Sequence, residues 1–189
     1  MVPAMPNVHV LTSGYVGPRT ASTVSLIEAT ARLIVVDPGM VSSRAVILDP
    51  LFALGHSPDD VTDVVISHHH PDHTINIALF PNARVHDHWA TYENDLWTSR
   101  PAEGFDVADG VTLWETPGHT PQDITTVVEE TGGLTALTHL WWSAGGPEKD
   151  PFATDPAALH QGRERVLAVA STVIPGHGEM FQPDDGTPH

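Results

Sequence analysis

The chain contains the run His68-His69-His70-Pro71-Asp72-His73, which places four histidines and one carboxylate within six residues. The apolar segment at positions 61–66 precedes this run directly and has the composition of a β-strand. A rigid strand followed by a loop of imidazole and carboxylate groups is well suited to a metal site, because the strand fixes where the loop residues point. For this run alone, a histidine-rich surface loop is the alternative interpretation.

Three more histidines, at positions 119, 139 and 177, follow predicted strands later in the chain. Their surroundings are Thr116-Pro117-Gly118-His119-Thr120, Leu137-Thr138-His139-Leu140 and Pro175-Gly176-His177-Gly178. A glycine beside His119 and beside His177 lets the backbone turn sharply, so that each ring can reach inward. Taken with the first run, these segments favour a metal site over a surface loop.

The composition restricts which side chains can hold a metal. The 189-residue sequence has no cysteine, so the ligands must be histidine, aspartate or glutamate. The 13 histidines outnumber the 8 lysines and arginines together, which is an unusual balance. Imidazole with carboxylate suits zinc, and carboxylate-richer sites also accept iron or manganese. We therefore predict one or two zinc ions, with iron or manganese as alternatives.

The charge and hydropathy of the chain bear on its partners and location. A net charge of −16 repels phosphate backbones, so nucleic acid is not an expected partner, and we expect a small-molecule substrate. No apolar run is long enough to span a bilayer, and no basic residue precedes an apolar stretch at the start. We therefore expect a cytoplasmic protein that does not enter membranes. The sequence does not indicate an oligomeric state.

The order of strand-like and helix-like segments predicts an α+β fold. Strands are predicted at 8–12, 22–28, 31–36, 61–66, 84–88, 111–115, 124–129, 134–140 and 173–174. Helices are predicted at 42–54, 74–80 and 155–170, and 92–104 is predicted to be a long irregular loop. There is no repeat and no linker, so residues 1–189 are expected to form one domain with helices covering the outer faces of its sheets.

The arrangement of these motifs resembles the metallo-β-lactamase superfamily. The run at 68–73 is similar to that family's HxHxDH signature, and the segments 116–120 and 175–178 are similar to its later ligand motifs, in the same order. Val36-Asp37-Pro38-Gly39 resembles its early Asp-x-Gly turn. The resemblance extends over positions 8–181 and implies an αββα sandwich with the site at one edge of the sheets.

The resemblance also implies two sets of metal ligands. The first metal would be held by His68, His70 and His119, and the second by Asp72, His73 and His177. The family usually has an aspartate that bridges both metals, and the spacing puts that position at His139, 20 residues after His119 and 38 before His177. A neutral imidazole binds one metal through one nitrogen, so it cannot bridge as a carboxylate does. His139 is therefore either a ligand of one metal or a neighbour of the ligands.

This reasoning predicts a metal-dependent hydrolase. A metal-bound hydroxide would attack an ester, thioester, lactone or amide carbonyl, and Asp72 would act catalytically by orienting the water or moving a proton. Two alternatives remain open. One is iron-dependent oxidation, as in the sulfur dioxygenases of this fold, and the other is a metal-binding protein without turnover.

Two loops rich in glycine and proline, at positions 13–18 and 141–151, flank predicted strand ends and carry Tyr15, Trp141 and Trp142. We expect them to form the pocket walls and to favour an apolar acyl group. Packing of at least one tryptophan in the core and simple loop exposure of Tyr15 are the alternatives.

The remaining polar side chains are expected to have structural or surface roles. Asp37 is expected to orient a ligand histidine, and His69 is expected to point away from the ligands. The side chains expected to face solvent are His86, His88, Arg163 and Arg165.

Overall fold

The computed structural model describes residues 5–189, which contain two β-sheets. Across the first sheet, the seven strands are β1 (Asn7–Thr12), β2 (Val24–Ala29), β3 (Arg32–Val36), β4 (Asp63–Val65), β5 (Arg84–His86), β6 (Ala90–Glu93) and β7 (Leu96–Ser99). The second sheet contains β8 (Phe105–Ala108), β9 (Val111–Glu115), β10 (Ile124–Glu130), β11 (Gly133–Thr138) and β12 (Ala170–Pro175), and its order is the reverse of the chain order. The helices are α1 (Ala45–Ala53), α2 (Pro71–Thr74) and α3 (Pro156–Leu167).

The main core lies between the two sheets. Ile34 and Val36 of β3 point into it, because alternate residues of a strand lie on the same face. They share one buried cluster with Leu113 of β9 and Leu137 of β11. The two sheets therefore pack face to face through apolar side chains.

Each sheet is covered by a helix on its outer face. Leu33 and Val35 of β3 belong to a second cluster that includes Leu51 of α1. On the other sheet, Val173 of β12 packs in a third cluster with Val166 of α3. The layers are helix, sheet, sheet and helix, so the predicted αββα sandwich is confirmed.

The strand directions bring the predicted ligand segments to one edge of each sheet. Strands β3, β4 and β5 run parallel to one another, so their carboxyl ends lie side by side. Strands β9 and β11 are both antiparallel to β10, and β12 is parallel to β11, so these three also end together. The loops that follow β4, β9, β11 and β12 carry His68, His119, His139 and His177.

The segment 92–104, predicted to be an irregular loop, is partly ordered as a hairpin. Strands β6 and β7 pair in it, with Tyr92 opposite Trp97 and Glu93 opposite Leu96. The turn depends on Asn94, which has a φ of 55°, and asparagine is one of the few residues that accept this conformation. The predicted helix at 74–80 is also wrong, because the chain there forms only the short helix α2 and a single 3₁₀ turn, Ile77–Leu79.

His86 and Arg163 are buried, contrary to the prediction from their residue types. The His86 ring donates from Nε2 to Oδ1 of Asp63 at 2.7 Å. The Arg163 guanidinium donates to the carbonyl oxygens of Leu140 and Pro147, both at 2.8 Å. Polar groups are tolerated in the interior when such partners are present, and residue type alone does not reveal those partners.

The other two side chains expected at the surface differ from each other. Arg165 is exposed, as predicted, and pairs with Glu103 at 2.6 Å. His88 is only half-buried, and its Nδ1 is inaccessible without a hydrogen-bond partner in the described chain. Within residues 5–189, no helix is both long and apolar enough to cross a membrane.

The turn after β3 touches the backbone of the histidine-rich loop. Met40 donates its backbone N–H to the carbonyl oxygen of Asp72 at 2.9 Å, and a Cβ added to Gly39 would lie 1.6 Å from that same oxygen. Backbone cannot yield as a flexible side chain can. We expect Gly39→Ala to lower the free energy of unfolding by at least about 1–3 kcal/mol, the range for overpacking.

Chemical denaturation of Gly39→Ala beside Gly17→Ala tests this contact. A Cβ at Gly17 would meet nothing within 4 Å, so that variant should unfold like the unmodified protein. Equal midpoints for the two variants would show that the turn and the histidine-rich loop are not packed this closely.

Candidate metal centre

Three histidine nitrogens converge at the edge of the sandwich and form the first group. Nδ1 of His70 lies 2.9 Å from Nε2 of His68 and 3.1 Å from Nε2 of His119. The first two rings come from the loop after β4, and the third comes from the loop after β9. Three converging imidazole nitrogens are the donor set of a catalytic zinc site that keeps one position open.

Asp72, His73 and His177 form a second group beside the first. The Nε2 atoms of His73 and His177 are 3.4 Å apart. Oδ2 of Asp72 lies 3.5 Å from Nε2 of His177 and 3.7 Å from Nε2 of His73. Pro71 occupies the first position of α2, where its missing N–H is harmless, and the short helix presents Asp72 and His73 together.

His139 lies between the two groups, and the residue is only 3% exposed. Its ligand atoms come within 4.8 Å of those of His68 and His119 and also of those of His73 and His177. Its Nε2 is 3.1 Å from Nε2 of His177, and its buried Nδ1 has no hydrogen-bond partner among the described residues. Since an unsatisfied buried nitrogen is unfavourable, this ring fits a role in metal coordination.

Four of the rings are held through the nitrogen that faces away from the centre. In two of them the partner is a carboxylate: Nδ1 of His73 contacts Asp37 at 2.8 Å, and Nδ1 of His119 contacts Asp150 at 2.7 Å. In the other two it is a different oxygen: Nδ1 of His68 contacts Oγ of Ser67 at 3.0 Å, and Nδ1 of His177 contacts the carbonyl oxygen of Ala21 at 2.9 Å. Such outer partners fix the tautomer and orientation of metal-ligating histidines. Asp37 therefore has the contact that was expected of it.

Four of the ring histidines have lowered pKa values, which favours binding of a metal cation. Burial, followed by repulsion from neighbouring histidines, holds the pKa of His68 and His139 well below the usual value. The same causes, in the same order, lower the pKa of His70 and His177. A neutral imidazole keeps a lone pair for a metal, so no proton has to be displaced from these nitrogens at neutral pH. The residues present therefore fit one or two divalent ions.

The structure also places the other predicted side chains. His69 points away from the centre and donates to Asp87 at 3.1 Å. Trp141 is fully buried, in agreement with the alternative that at least one tryptophan packs in the core. Trp142 instead lines the cavity described below. Tyr15 is exposed beside an adjoining depression rather than in that cavity.

Two buried carboxylates that support the His119 loop were not predicted. Asp123 accepts from the backbone N–H and the hydroxyl of Thr120 at 2.8 and 2.6 Å, and burial raises its pKa to about 6. Burial also acts to raise the pKa of Asp150, but the hydrogen bonds from His119, the Phe152 backbone and Trp142, with the charge interaction of His119, together outweigh it, so that this pKa lies below its usual value. The Thr-x-x-Asp spacing could have indicated Asp123. Asp150 has no local signal.

Both groups open onto a cavity of about 620 Å³. Its lining residues are Val16, Thr20, His70, Asp72, His119, Thr120, Pro121, Gln122, His139, Trp142, Phe152, Thr154 and His177. Trp142 and Phe152 stack with ring centroids 5.8 Å apart and form an aromatic wall. Among residues 5–189, no lysine or arginine lines this cavity.

A sequence model of the metallo-beta-lactamase superfamily matches residues 17–186. The chain belongs to this superfamily. A member from Mus musculus, Metallo-beta-lactamase domain-containing protein 1, is 35% identical over 172 residues, which are 85% of this chain and 65% of that protein. The Xenopus laevis protein of the same name is 31% identical over 196 residues, covering 96% of this chain and 84% of its own length. The chain thus spans about two thirds of the length of its mouse relative.

Several solved structures share the fold. The Thermotoga maritima protein tm0894 has a TM-score of 0.76 at 22% identity, covering 95% of this chain and 100% of that one. AidC, a dizinc quorum-quenching lactonase, has a TM-score of 0.63 at 19% identity over 82% of this chain and 72% of its own. The protein TTHA1623, in a di-iron-bound form, has a TM-score of 0.67 at 21% identity over 90% and 94%. At these identities the likeness supports the superfamily fold and no particular substrate.

Proposed function

We propose that the protein is a metal-dependent hydrolase of small, uncharged esters, thioesters, lactones or amides. The observation that carries this proposal is the pair of ligand groups at the base of an accessible cavity. Pockets with a few converging polar groups and an otherwise apolar lining are typical of small-molecule sites.

Zinc is the metal that we propose. The donor set is mostly imidazole nitrogen with one carboxylate, Asp72, and such sets suit zinc, although iron also binds imidazole. Among the proteins of similar fold, AidC is a dizinc lactonase and TTHA1623 has been solved in a di-iron-bound form, so metal analysis has to distinguish these ions. We assign His68, His70 and His119 to the first ion, and Asp72, His73 and His177 with His139 to the second.

The protein's own groups would then carry out the remaining tasks of hydrolysis. A divalent ion held by these residues would act as a Lewis acid, polarising a substrate carbonyl and lowering the pKa of bound water. Asp72 lies at the cavity surface with 22% of its side chain exposed, so its carboxylate oxygen that is not bound to the metal could orient an attacking water and accept the proton that the water loses. Trp142 and Phe152 would exclude solvent on one side of the substrate.

Away from the ligand groups, the lining favours neutral parts of a substrate. A carboxylate or phosphate group placed there would find no lysine or arginine in the described lining to pair with it. The net charge of −16 disfavours nucleic acid, because it repels phosphate backbones. Apolar surface from Val16, Pro121 and the aromatic wall suits an acyl chain.

Metal analysis of protein purified without added metal, followed by a hydrolysis panel, tests the proposal. We expect zinc, and turnover of at least one neutral thioester, ester, lactone or amide that a chelator abolishes. Iron with oxygen consumption on a persulfide would replace the proposal with oxidation. Zinc without turnover across the panel would replace it with a binding role.

Trp142 should set selectivity among acyl chains. We expect Trp142→Ala to lower kcat/KM for a long acyl chain by about tenfold or more relative to a short one, because burying one methylene is worth roughly 0.8 kcal/mol. Trp97→Ala, an exposed tryptophan of the β6–β7 hairpin, is the matched control and should leave this ratio unchanged. An equal loss on all chain lengths would indicate that Trp142 supports folding instead.

A further inference from the structure

One buried carboxylate joins the first metal group to the aromatic wall. The Asp150 side chain is only 2% exposed. Its Oδ2 accepts from Nδ1 of His119 at 2.7 Å and from the indole N–H of Trp142 at 3.3 Å. Its Oδ1 accepts from the backbone N–H of Phe152 at 2.8 Å. Asp150 therefore contacts one ligand histidine and both residues of the wall.

The indole of Trp142 and the backbone of Phe152 are both hydrogen-bonded to this carboxylate. The two residues lie between β11 and α3, outside any strand or helix, and the backbone of Trp142 is also hydrogen-bonded to Gly146 and His177. Phe152 is exposed, and its only close aromatic neighbour among the described residues is Trp142. The indole N–H has Asp150 as its acceptor.

We propose that Asp150 is a positioning residue that couples the metal centre to the aromatic wall. This inference rests on the proposed metal site but not on hydrolysis. When Nε2 of His119 faces a metal, the ring proton must reside on Nδ1, where it is donated to Oδ2 of Asp150. That bond fixes the carboxylate in the orientation that also accepts from Trp142 and Phe152. Without a metal on Nε2, the His119 ring is held from the Asp150 side alone, so the ring, the carboxylate and the wall have more freedom to move.

Coupling of this kind acts in both directions. A metal that orders the wall raises the affinity for an apolar ligand on it, and that ligand raises the affinity for the metal by the same factor. The substrate-binding surface would thus be fully formed only when the first metal group is occupied.

The first test compares metal affinity in two Asp→Asn variants by chelator competition. Asp150→Asn removes the charge and puts an amide N–H₂ where one acceptor was, so we expect zinc to bind about 10–100-fold more weakly, as when other outer partners of ligand histidines are lost. Asp155→Asn is the matched control. Asp155 caps α3 through Ala157 and Ala158 without touching the wall, and asparagine caps helices equally well.

The second test follows the wall itself, in a readout that a purely structural role would not change. The fluorescence of Trp142 is obtained as the difference between each protein and its Trp142→Phe counterpart, because the chain has five tryptophans. Adding zinc should change this difference spectrum in the unmodified protein and in Asp155→Asn, but not in Asp150→Asn. A zinc response that persists in Asp150→Asn, or zinc affinity within about twofold of the unmodified protein, would overturn the proposal.

A third measurement serves if Asp150→Asn does not fold. Trp142→Phe keeps the carboxylate and an aromatic ring but lacks the indole N–H. We expect the uncharged probe N-phenyl-1-naphthylamine to bind the unmodified protein several-fold more tightly with zinc than without, and to bind Trp142→Phe equally in both states. Equal binding to the unmodified protein with and without zinc would also overturn the coupling. None of these readouts requires turnover, so a failed hydrolysis panel leaves them interpretable.

Discussion

Replacing His119 by alanine is expected to weaken binding of the first metal by more than a hundredfold and to remove hydrolysis. The variant loses one of three converging nitrogens, the others being on His68 and His70. Losing a group that only orients a ligand weakens binding by about 10–100-fold, so losing the ligand itself should exceed that range. Metal content after dialysis and chelator competition measure the effect.

His69→Ala is the matched control for this variant. His69 belongs to the same histidine-rich run, but its ring points away and donates to Asp87, so metal affinity should change by no more than about twofold. Full metal occupancy in His119→Ala would contradict the assignment of the first group.

His139→Asp is expected to tighten binding of the second metal by about tenfold or more, equivalent to ~1.4 kcal/mol. Within the two ligand groups, two divalent ions would face a single carboxylate, that of Asp72. An aspartate at position 139 would add a second negative charge and could join both ions, as one imidazole nitrogen cannot. Competitive chelator titration resolves the two affinities.

The cavity around position 139 makes a size control necessary. Gly176 packs against the His139 ring so closely that an added Cβ would lie 2.4 Å from its Cδ2, which shows that this part of the site is built around an imidazole. His139→Asn leaves the same gap as His139→Asp without the charge, so it should bind the second metal no more tightly than the unmodified protein. Two equally tight metals in all three proteins would show that position 139 does not govern the site.

The residues that meet at the centre could be predicted because each lies in a short motif directly after a strand. Strand direction is set by local pattern and connection length, so residues after parallel strands meet at one edge. The glycines beside His119 and His177 marked where the backbone turns. These features place the candidate ligands after strand ends, and the resemblance to the superfamily then implied which of them share a metal.

Most of the unpredicted features depend on contacts between distant segments, and the β6–β7 hairpin depends on one backbone conformation. Asp150 supports His119 from 31 residues away, in a loop without regular structure. Arg163 lies on a helix whose polar residues suggested a solvated face, yet its guanidinium is enclosed by backbone carbonyl oxygens. The β6–β7 hairpin depends on Asn94 at a positive φ, which residue propensities over a long window do not reveal.

The two ligand groups draw on both halves of a chain that has no cysteine. His68 and His70 follow a strand of the first sheet, while His119, His139 and His177 follow strands of the second. An ion held by both sets acts as a reversible cross-link between segments far apart in sequence, the role that a disulfide has in other small proteins. Its binding energy is then shared with folding, so cellular lifetime and resistance to proteolysis should depend on metal supply.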